Sequence, residues 1–289
     1  MDEHEFLAAQ FEEHRGHLRA VAYRMLGSLT EADDAVQDAW LRLSRAGADG
    51  VDNLGAWLTT VVARMSLNML RSRNTRREEP VGVYVPDPLI SREDEVDPEQ
   101  EAVLADSVGL ALQVVLDTLA PAERLAFVLH DMFDVPFDEI ASMVGRSPDA
   151  ARQLASRARR RVQGIAPTPD RDVTEQRRVV DAFFAAARGG NFEGLIAVLD
   201  PDVVVRSEGG ATRPKISGVL RGAEAVARSA MSFALPNAVL TPVLLNGAAG
   251  VLVTTGGKPF SLMAFTVRDG KIVEIDAIAD PDRLRQLGF

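Results

Sequence analysis

The sequence predicts a multidomain chain in which two all-α modules precede an α+β domain. Three observations favour this fold class. Apolar residues recur at helical spacing through most of the first 165 residues, an acidic segment interrupts that pattern, and alternation typical of strands begins only after residue 200. At 289 residues, of which 46% are hydrophobic, the chain is long enough for two or three domains with their own cores.

The first module covers residues 1–77 and is predicted to contain three helices. Apolar residues recur every three or four positions between 11 and 26, which indicates the first helix. Thr30 is expected to open the second helix, because acidic residues fill the turn after it. Asn53 is the expected N-cap of the third helix, which ends in the basic stretch 71–77.

Residues 78–106 form an acidic linker. The chain has a net charge of −10, and this segment holds ten acidic residues but only one basic residue, Arg92. Four prolines disfavour a continuous helix here, at positions 80, 86, 88 and 98. Two short apolar stretches, 83–85 and 89–90, are able to dock locally. The remaining net charge is close to zero, so any attraction to nucleic acid has to come from local basic patches.

The second module covers residues 107–165 and carries a helix-turn-helix pattern. A short periodic helix ends at Gly145, which permits a sharp turn, and Ser147-Pro148 is expected to cap and start the next helix. That second helix exposes polar and basic side chains able to bond base edges and phosphates, among them Arg152, Gln153, Arg157 and Arg160. An ordinary helical hairpin with a solvated arginine face is the alternative.

A hinge at 166–173 leads to the α+β domain, residues 174–289. A helix from Val173 to Arg188 comes first, and strands are predicted late in the domain. Asp269-Gly270 between the last two strands is a strong type I′ hairpin signal, so we expect an antiparallel meander. In the final strand Val273, Ile275 and Ala277 alternate with Glu274 and Asp276, which predicts one buried and one solvated face.

Several classes of protein and site are excluded or disfavoured. The chain has no cysteine, which excludes disulfides, thiolate zinc sites and a cysteine nucleophile. His14 and His17 share a helical face without a third ligand nearby, so no metal site and no cofactor are predicted. No apolar run approaches the roughly 20 residues of a membrane span, and the N-terminus is acidic, so we expect a cytoplasmic protein without a membrane partner.

Residues 1–162 resemble the extracytoplasmic-function (ECF) type of bacterial sigma factor. The first module carries LGSLTEADDAVQDAWLR at 26–42 and AWLTTVVAR at 56–64, and the second carries LAPAER at 119–124 before the helix-turn-helix. The resemblance implies a sigma-2-like bundle and a sigma-4-like helix-turn-helix module, whose partners are promoter DNA and core RNA polymerase, at its β′ clamp helices and β flap.

The resemblance also implies roles for individual residues. The contact with the β′ clamp helices is expected from the second helix, at Asp34, Gln37, Asp38 and Trp40. Melting and capture of the −10 element are expected from the third helix and the loop after it, at Trp57, Arg64, Asn68, Arg71 and Arg73, with a core position as the alternative for Trp57. Reading of the −35 element is expected from Ser147, Arg152, Gln153, Arg157 and Arg160.

Residues 174–289 are similar to the SnoaL-like branch of the NTF2-like cone folds. A sigma factor with such a tail resembles the group called ECF41, which is understood to be regulated in cis by this domain. The linker stretch 83–89 and the terminal stretch 280–284 match motifs of that group, whereas Ser207–Ala211 lacks the lysine that the group often has there. Candidate contacts between linker and tail are Tyr84, Pro86, Pro88, Leu89, Glu208, Asp282 and Arg283.

Two further interpretations remain open for the tail. Cone folds often enclose an apolar pocket, so the domain could sense an unknown small ligand, or a carboxylate such as Glu208, Asp202 or Asp276 could serve as a base. The domain has no histidine and no nucleophile constellation, so an enzyme is not expected. A helix-turn-helix regulator with a ligand-sensing or enzymatic tail is the alternative function, but it leaves residues 1–77 unexplained.

The acidic linker is either a solvated tether or a contact surface. As a contact surface it would join the two DNA-binding modules along the basic interior of polymerase and, in the free protein, lie against the tail or against Arg71, Arg73, Arg76 and Arg77. If it is a contact surface, neutralising Glu93, Asp94 and Glu95 should alter promoter binding more at low salt than at high salt.

Overall fold

The computed structural model describes residues 3–47, 51–76, 83–91, 109–165, 170, 172–233, 235 and 237–289. The described residues fall into two compact units, one made of 3–47, 51–76 and 113–165, and one made of 83–91, 109–112 and the residues from 170 onward. Every acid of the predicted linker except Asp87 lies outside the described residues, as does most of the predicted hinge. The expectations for Glu93, Asp94 and Glu95, and the predicted domain boundaries, therefore stay predictions.

The first unit is helical. Its elements are α1 (Glu3–Leu26), α2 (Leu29–Ala46), α3 (Leu54–Arg76), α4 (Leu110–Asp117, shared with the second unit), α5 (Pro121–Phe127), a single π-helical turn (Val128–Met132), α6 (Phe137–Val144) and α7 (Pro148–Ile165). The Asn53 side chain accepts a hydrogen bond from the Ala56 N–H at 3.0 Å, which confirms the predicted cap of α3. The prediction that Thr30 opens α2 is wrong by two residues, since the hydroxyl of Ser28 is the cap.

The turn between α6 and α7 has the predicted helix-turn-helix chemistry. Gly145 adopts a φ of +68° at the end of α6, a left-handed conformation that favours glycine. The Ser147 hydroxyl accepts a hydrogen bond from the Ala150 N–H at 3.2 Å, and Pro148 occupies the first position of α7. The turn thereby ends one helix and starts the next within three residues.

Side chains of α4 and α5 bond to the C-terminal end of α1. The buried Arg124 donates from Nε to the Arg24 carbonyl at 3.0 Å, and Gln113 Nε2 donates to the Tyr23 carbonyl at 3.2 Å. Both acceptors lie in the last turn of α1, where helical N–H donors run out and side chains commonly replace them. No helix among the described residues is long and apolar enough to cross a membrane.

The second unit is α+β. Its elements are β1 (Ile90–Ser91), α8 (Val173–Arg188), α9 (Phe192–Val198), β2 (Leu199–Glu208), β3 (Gly218–Arg221), α10 (Ala223–Ser232), β4 (Val239–Leu245), β5 (Ala248–Thr255), β6 (Lys258–Arg268), β7 (Lys271–Ile278) and α11 (Pro281–Gln286). The strands form one sheet in the order β1-β4-β5-β6-β7-β2-β3. Asp269 and Gly270 both have positive φ, which confirms the type I′ hairpin between β6 and β7.

The sheet is mixed, so the expectation of an antiparallel meander holds only for β4 to β7. β2 pairs in parallel with β7, Val205 lying opposite Ile275. Strand β4 contains Pro242 and was not predicted. Its place near the sheet edge explains how a residue without an N–H is tolerated there, since β4 borders only the two-residue β1 on its outer side.

The two faces of the sheet pack against different parts of the chain. Helices α8, α9 and α10 cover one face, where Phe183 and Phe265 pack with ring centroids 5.8 Å apart. On the other face the linker residue Val85 joins Leu245, Leu262 and Ile278 in a second apolar cluster. The linker stretch therefore belongs to the core of this unit.

The expectation that Glu274 and Asp276 lie on a solvated face is wrong. They are only 6% and 3% exposed, because β7 is a central strand and its second face is covered as well. Their charges are compensated by Arg206 of β2, whose Nη1 pairs with Glu274 and lies 3.2 Å from Asp276 Oδ1. Alternation in sequence reports which side chains share a face, but not whether that face meets water.

Candidate functional site

Helix α2 presents a polar stripe to solvent. Asp34, Gln37 and Asp38 are all exposed on one face of the helix. Leu41 continues that face at helical spacing and is 40% exposed, a residue that sequence reasoning did not single out although its spacing from Asp38 signals it. Trp40 lies off the stripe, half-buried, with its ring centroid 5.2 Å from that of Phe11. Three of the four predicted polymerase contacts thus share one surface.

Helix α3 exposes a second stripe. Arg64, Asn68 and Arg71 are exposed at positions i, i+4 and i+7, and Trp57 lies two turns earlier on the same side, half-buried. Arg64 Nη2 lies 3.5 Å from the Ser142 carbonyl of α6. Arg73 is not on the stripe, because its guanidinium pairs with Glu31 and lies 3.4 Å from the Leu26 carbonyl.

Helix α7 exposes all four side chains that were predicted on it for base or phosphate contacts. Arg152 pairs with Asp149 at 2.6 Å and Arg157 with Glu123 at 3.0 Å. Gln153 and Arg160 have no hydrogen-bond or ion-pair partner within the described parts of the chain. Exposed donor groups whose hydrogen bonds go to water are suited to bind base edges and phosphates instead.

The linker stretch and the tail are joined by a cluster that we call the linker clasp, formed by Tyr84, Val85, Asp87, Glu208 and Arg283. Arg283 Nη2 donates to Asp87 Oδ1 at 2.6 Å and to the Val85 carbonyl at 2.9 Å, and Nη1 donates to Glu208 Oε1 at 2.8 Å. Glu208 Oε2 accepts from the Val85 N–H at 2.9 Å. The guanidinium also lies 4.8 Å from the Tyr84 ring centroid, within range of a cation–π contact.

A second contact fixes the linker four residues further on. The Leu89 N–H donates to Asn246 Oδ1 at 3.0 Å, and the Asn246 N–H donates to the Leu89 carbonyl at 2.8 Å. Ile90 then pairs with Leu245 as β1 joins the sheet, and Pro86 and Pro88 are buried on either side of Asp87. Sequence reasoning missed Asn246, for which no local signal points toward the linker.

Burial governs the electrostatics of the clasp. Burial raises the pKa of the Glu208 carboxyl, although the charge of Arg283 and the Val85 N–H oppose that shift. Burial also opposes the charge on Arg283, but the electrostatic interactions with Tyr84, Glu208 and Asp87 outweigh it and raise the pKa of this guanidinium above its ordinary value. Arg283 is therefore a permanent cation that holds two carboxylates and a backbone carbonyl at once.

The remaining tail candidates lie elsewhere. Asp282 is 67% exposed and pairs with Arg285, away from the clasp. Asp202 is exposed as well. Glu208 and Asp276 alternate along their strands with Ser207 and Ala277, which line a cavity on the opposite sheet face, so neither carboxylate reaches that cavity. Within the described residues, no three His, Asp or Glu side chains are arranged to hold a metal ion.

Known proteins match this chain over nearly its whole length. The family Sigma-70 region 2 matches residues 10–76, and Sigma-70, region 4 matches residues 109–162. The ECF RNA polymerase sigma factor SigJ of Mycobacterium tuberculosis is 38% identical over 293 aligned residues, which cover 95% of this chain and 92% of SigJ. The probable ECF RNA polymerase sigma factor SigI of the same species is 33% identical over 288 residues, covering 99% and 98% of the two chains.

A solved structure extends the likeness to three dimensions. The crystal structure of the M. tuberculosis extracytoplasmic function sigma factor SigJ superposes on this chain with a TM-score of 0.78 at 35% identity. It covers 96% of this chain and 98% of that one. The similarity therefore includes both helical modules and the α+β tail.

Proposed function

Because this chain belongs to the extracytoplasmic-function sigma factors of RNA polymerase, and is of their SigJ type, we propose that its own linker and tail control how it engages a promoter. Sigma factors bind core RNA polymerase and direct it to promoters, and the family is not enzymatic.

The α2 stripe is the proposed surface for core polymerase. Asp34, Gln37 and Asp38 supply carboxylates and an amide for a basic partner helix, and the exposed Leu41 supplies an apolar centre that loses water on binding. Trp40 supports this surface by packing on Phe11. The sigma-4-like module is expected to reach the β flap.

Promoter DNA is the proposed ligand of the α3 stripe and of α7. Arg64, Asn68 and Arg71, with the half-buried Trp57, are suited to hold a melted −10 strand by phosphate contacts and stacking. Gln153 and Arg160 of α7, with Arg152 and Arg157, are suited to a −35 major groove. Arg73 is not part of the α3 stripe and supports that stripe through its ion pair with Glu31.

We further propose that the clasp regulates the protein in cis. The clasped stretch lies in sequence between α3 and α4, so the connection between the two DNA-binding modules runs over the tail while the clasp is closed. A linker held by Arg283 is not free to follow the basic interior of polymerase. Release of the clasp should therefore raise promoter-dependent transcription.

The observation that carries this proposal is the triple contact of Arg283 with Asp87, Val85 and Glu208. Its test is transcription with core RNA polymerase by the full chain, by Arg283→Met and by Arg285→Met as a control that removes an exposed arginine two residues away. We expect at least a twofold rise for Arg283→Met only. Equal transcription by all three would refute regulation through the clasp.

Truncated chains test the sigma assignment itself. Variants ending near Ile165 and near Asp200 remove all or most of the tail while keeping both helical modules. If neither the full chain nor either truncated chain started transcription from any promoter, the proposed polymerase and promoter contacts would be untenable.

A further inference from the structure

The tail encloses a cavity of 360 Å³ between α8, α10 and the sheet face opposite the clasp. Small-molecule sites commonly occupy about 300–1,000 Å³. At about 30 Å³ per water molecule, the cavity has room for about a dozen water molecules. An apolar chain of about ten carbons would fill the same volume. Its size therefore suits one small ligand.

Most of the cavity wall is apolar. Aromatic rings of α8, of β6 and of the residue that ends α10 contribute to it, together with a methionine: Phe183, Phe184, Phe233, Phe260 and Met263. Such a wall offers water few hydrogen bonds, so an apolar ligand body would be favoured over the water that it displaces.

The polar part of the wall is small and carries no carboxylate. Four serines line the cavity, at positions 207, 217, 229 and 261, and the Ser217 hydroxyl accepts a hydrogen bond from the Gly209 N–H at 2.9 Å. The hydroxyls of Ser207, Ser229 and Ser261 have no hydrogen-bond partner within the described residues. Lys215, in the loop after β2, also lines the cavity. The other two lysines of the chain do not line it. Arg188 also lines it, although its Nη2 donates to the Ala238 carbonyl at 2.6 Å. Two cations and three unpaired hydroxyls favour an anionic end group.

We propose that this cavity binds a small apolar molecule bearing one carboxylate, for which a medium-chain fatty acid is the simplest representative. The apolar body lies among the phenylalanine rings, and the carboxylate faces Lys215, Ser207 and Ser261. Binding involves no covalent step.

The wall of the cavity is also connected directly to the clasp. Ser207 precedes the clasp residue Glu208, and the cavity residue Ala279 donates its N–H to the Glu208 carbonyl at 2.7 Å. Arg213 Nη1 donates hydrogen bonds to the carbonyls of Phe260 and Ala279, at 2.8 Å each. We propose that an occupied cavity shifts this end of β2 and thereby changes the clasp. This second half rests on the proposed regulatory role of the clasp, whereas ligand binding does not.

Binding is tested by calorimetry on the full chain with decanoate and 1-decanol. We expect decanoate to bind with a micromolar Kd. Lys215→Met should weaken decanoate about fivefold, as expected for loss of one exposed charge contact, and change decanol less than twofold. Lys258→Met removes an exposed lysine outside the cavity and is the matched control. Absence of binding by both compounds, or equal weakening by both lysine variants, overturns the site.

A filled cavity gives an independent check of location. Ala230 is a half-exposed residue of α10 that lines the cavity. Ala230→Phe places a ring into the cavity and should abolish binding of both compounds. If this variant did not fold, the comparison of Lys215→Met with Lys258→Met would still decide the site. Undiminished binding to a folded Ala230→Phe chain contradicts it.

The regulatory half is tested by transcription with and without decanoate. Decanoate should change transcription at least twofold in the unaltered chain and have no effect in Arg283→Met. Binding without any effect on transcription would overturn the coupling and leave the site intact. An equal effect in Arg283→Met would also overturn coupling through the clasp.

Discussion

Arg283 and Asp87 lie 196 residues apart in the chain and are joined by a hydrogen bond of 2.6 Å. Both side chains are largely buried, and the same guanidinium holds Glu208 and the Val85 carbonyl. Charged hydrogen bonds shielded from water are stronger than those at the surface, so this one arginine organises the docked linker.

Arg283→Met should loosen the start of the docked linker more than its end. The Val85 N–H bonds to Glu208, whose orientation depends on Arg283, whereas the Leu89 N–H bonds to Asn246 independently. We expect amide hydrogen exchange at Val85 to accelerate about tenfold or more, which corresponds to about 1.4 kcal/mol, and exchange at Leu89 to change less. Arg285→Met should change neither amide. Equal acceleration at both positions would contradict an independent second contact.

Asp276→Asn should stabilise the tail at neutral and alkaline pH. Burial, followed by the charge of Glu274, raises the pKa of Asp276 well above its ordinary value, although Arg206 opposes the shift. The stability contributed by a group with a raised pKa is fully present below its ordinary pKa and is lost as pH rises through the raised pKa. Asparagine remains neutral and can still donate to Glu274, so it avoids that loss.

Thermal unfolding at several pH values measures this effect. Asp276→Asn should raise the Tm by about 2–4 °C at pH 8, which corresponds to about 1 kcal/mol, and by less at pH 5. Asp181→Asn, on the exposed side of α8, is the matched control and should change the Tm little. A lower Tm for Asp276→Asn at pH 8 would mean that its charge is needed to hold Arg206.

Gln153→Ala and Arg160→Ala should affect DNA binding in different ways. Loss of a base contact at Gln153 is expected to cost about 1–3 kcal/mol for the cognate −35 sequence and little for unrelated DNA. Loss of a phosphate contact at Arg160 should weaken both equally and lower the slope of log K against log salt by about one. Salt titrations with holoenzyme measure both effects, with Arg178→Ala in the tail as control.

The acidic linker should act through electrostatics. Replacing Glu93, Asp94 and Glu95 by neutral residues should change promoter binding at low salt and less at high salt, because salt screens interactions between exposed charges. Binding curves at two salt concentrations measure this. An unchanged salt profile would identify the segment as a plain tether.

The local features of the fold could be predicted from the sequence alone. Asn53, Gly145, Ser147 and the Asp269-Gly270 turn act through backbone atoms within three residues, so their chemistry is readable without the rest of the molecule. The same holds for the exposed stripes on α2, α3 and α7, since the helical repeat determines which side chains share a face. The resemblance to the family rests instead on the motifs at 26–42, 56–64 and 119–124, together with the helix-turn-helix that follows them.

The tertiary structure alone decided which distant residues meet. Neither the burial of Glu274 and Asp276 nor the role of Asn246 has a local signal, because both depend on sheet order and on a linker packed over the second face. The linker and terminal motifs marked Tyr84 and Arg283 as candidates, but only the register of β2 beside β7 places Glu208 where Arg283 and Val85 reach it. Helical periodicity and turns are set by neighbours in sequence, whereas charge pairing and cavity lining are set by packing between segments that sequence keeps far apart.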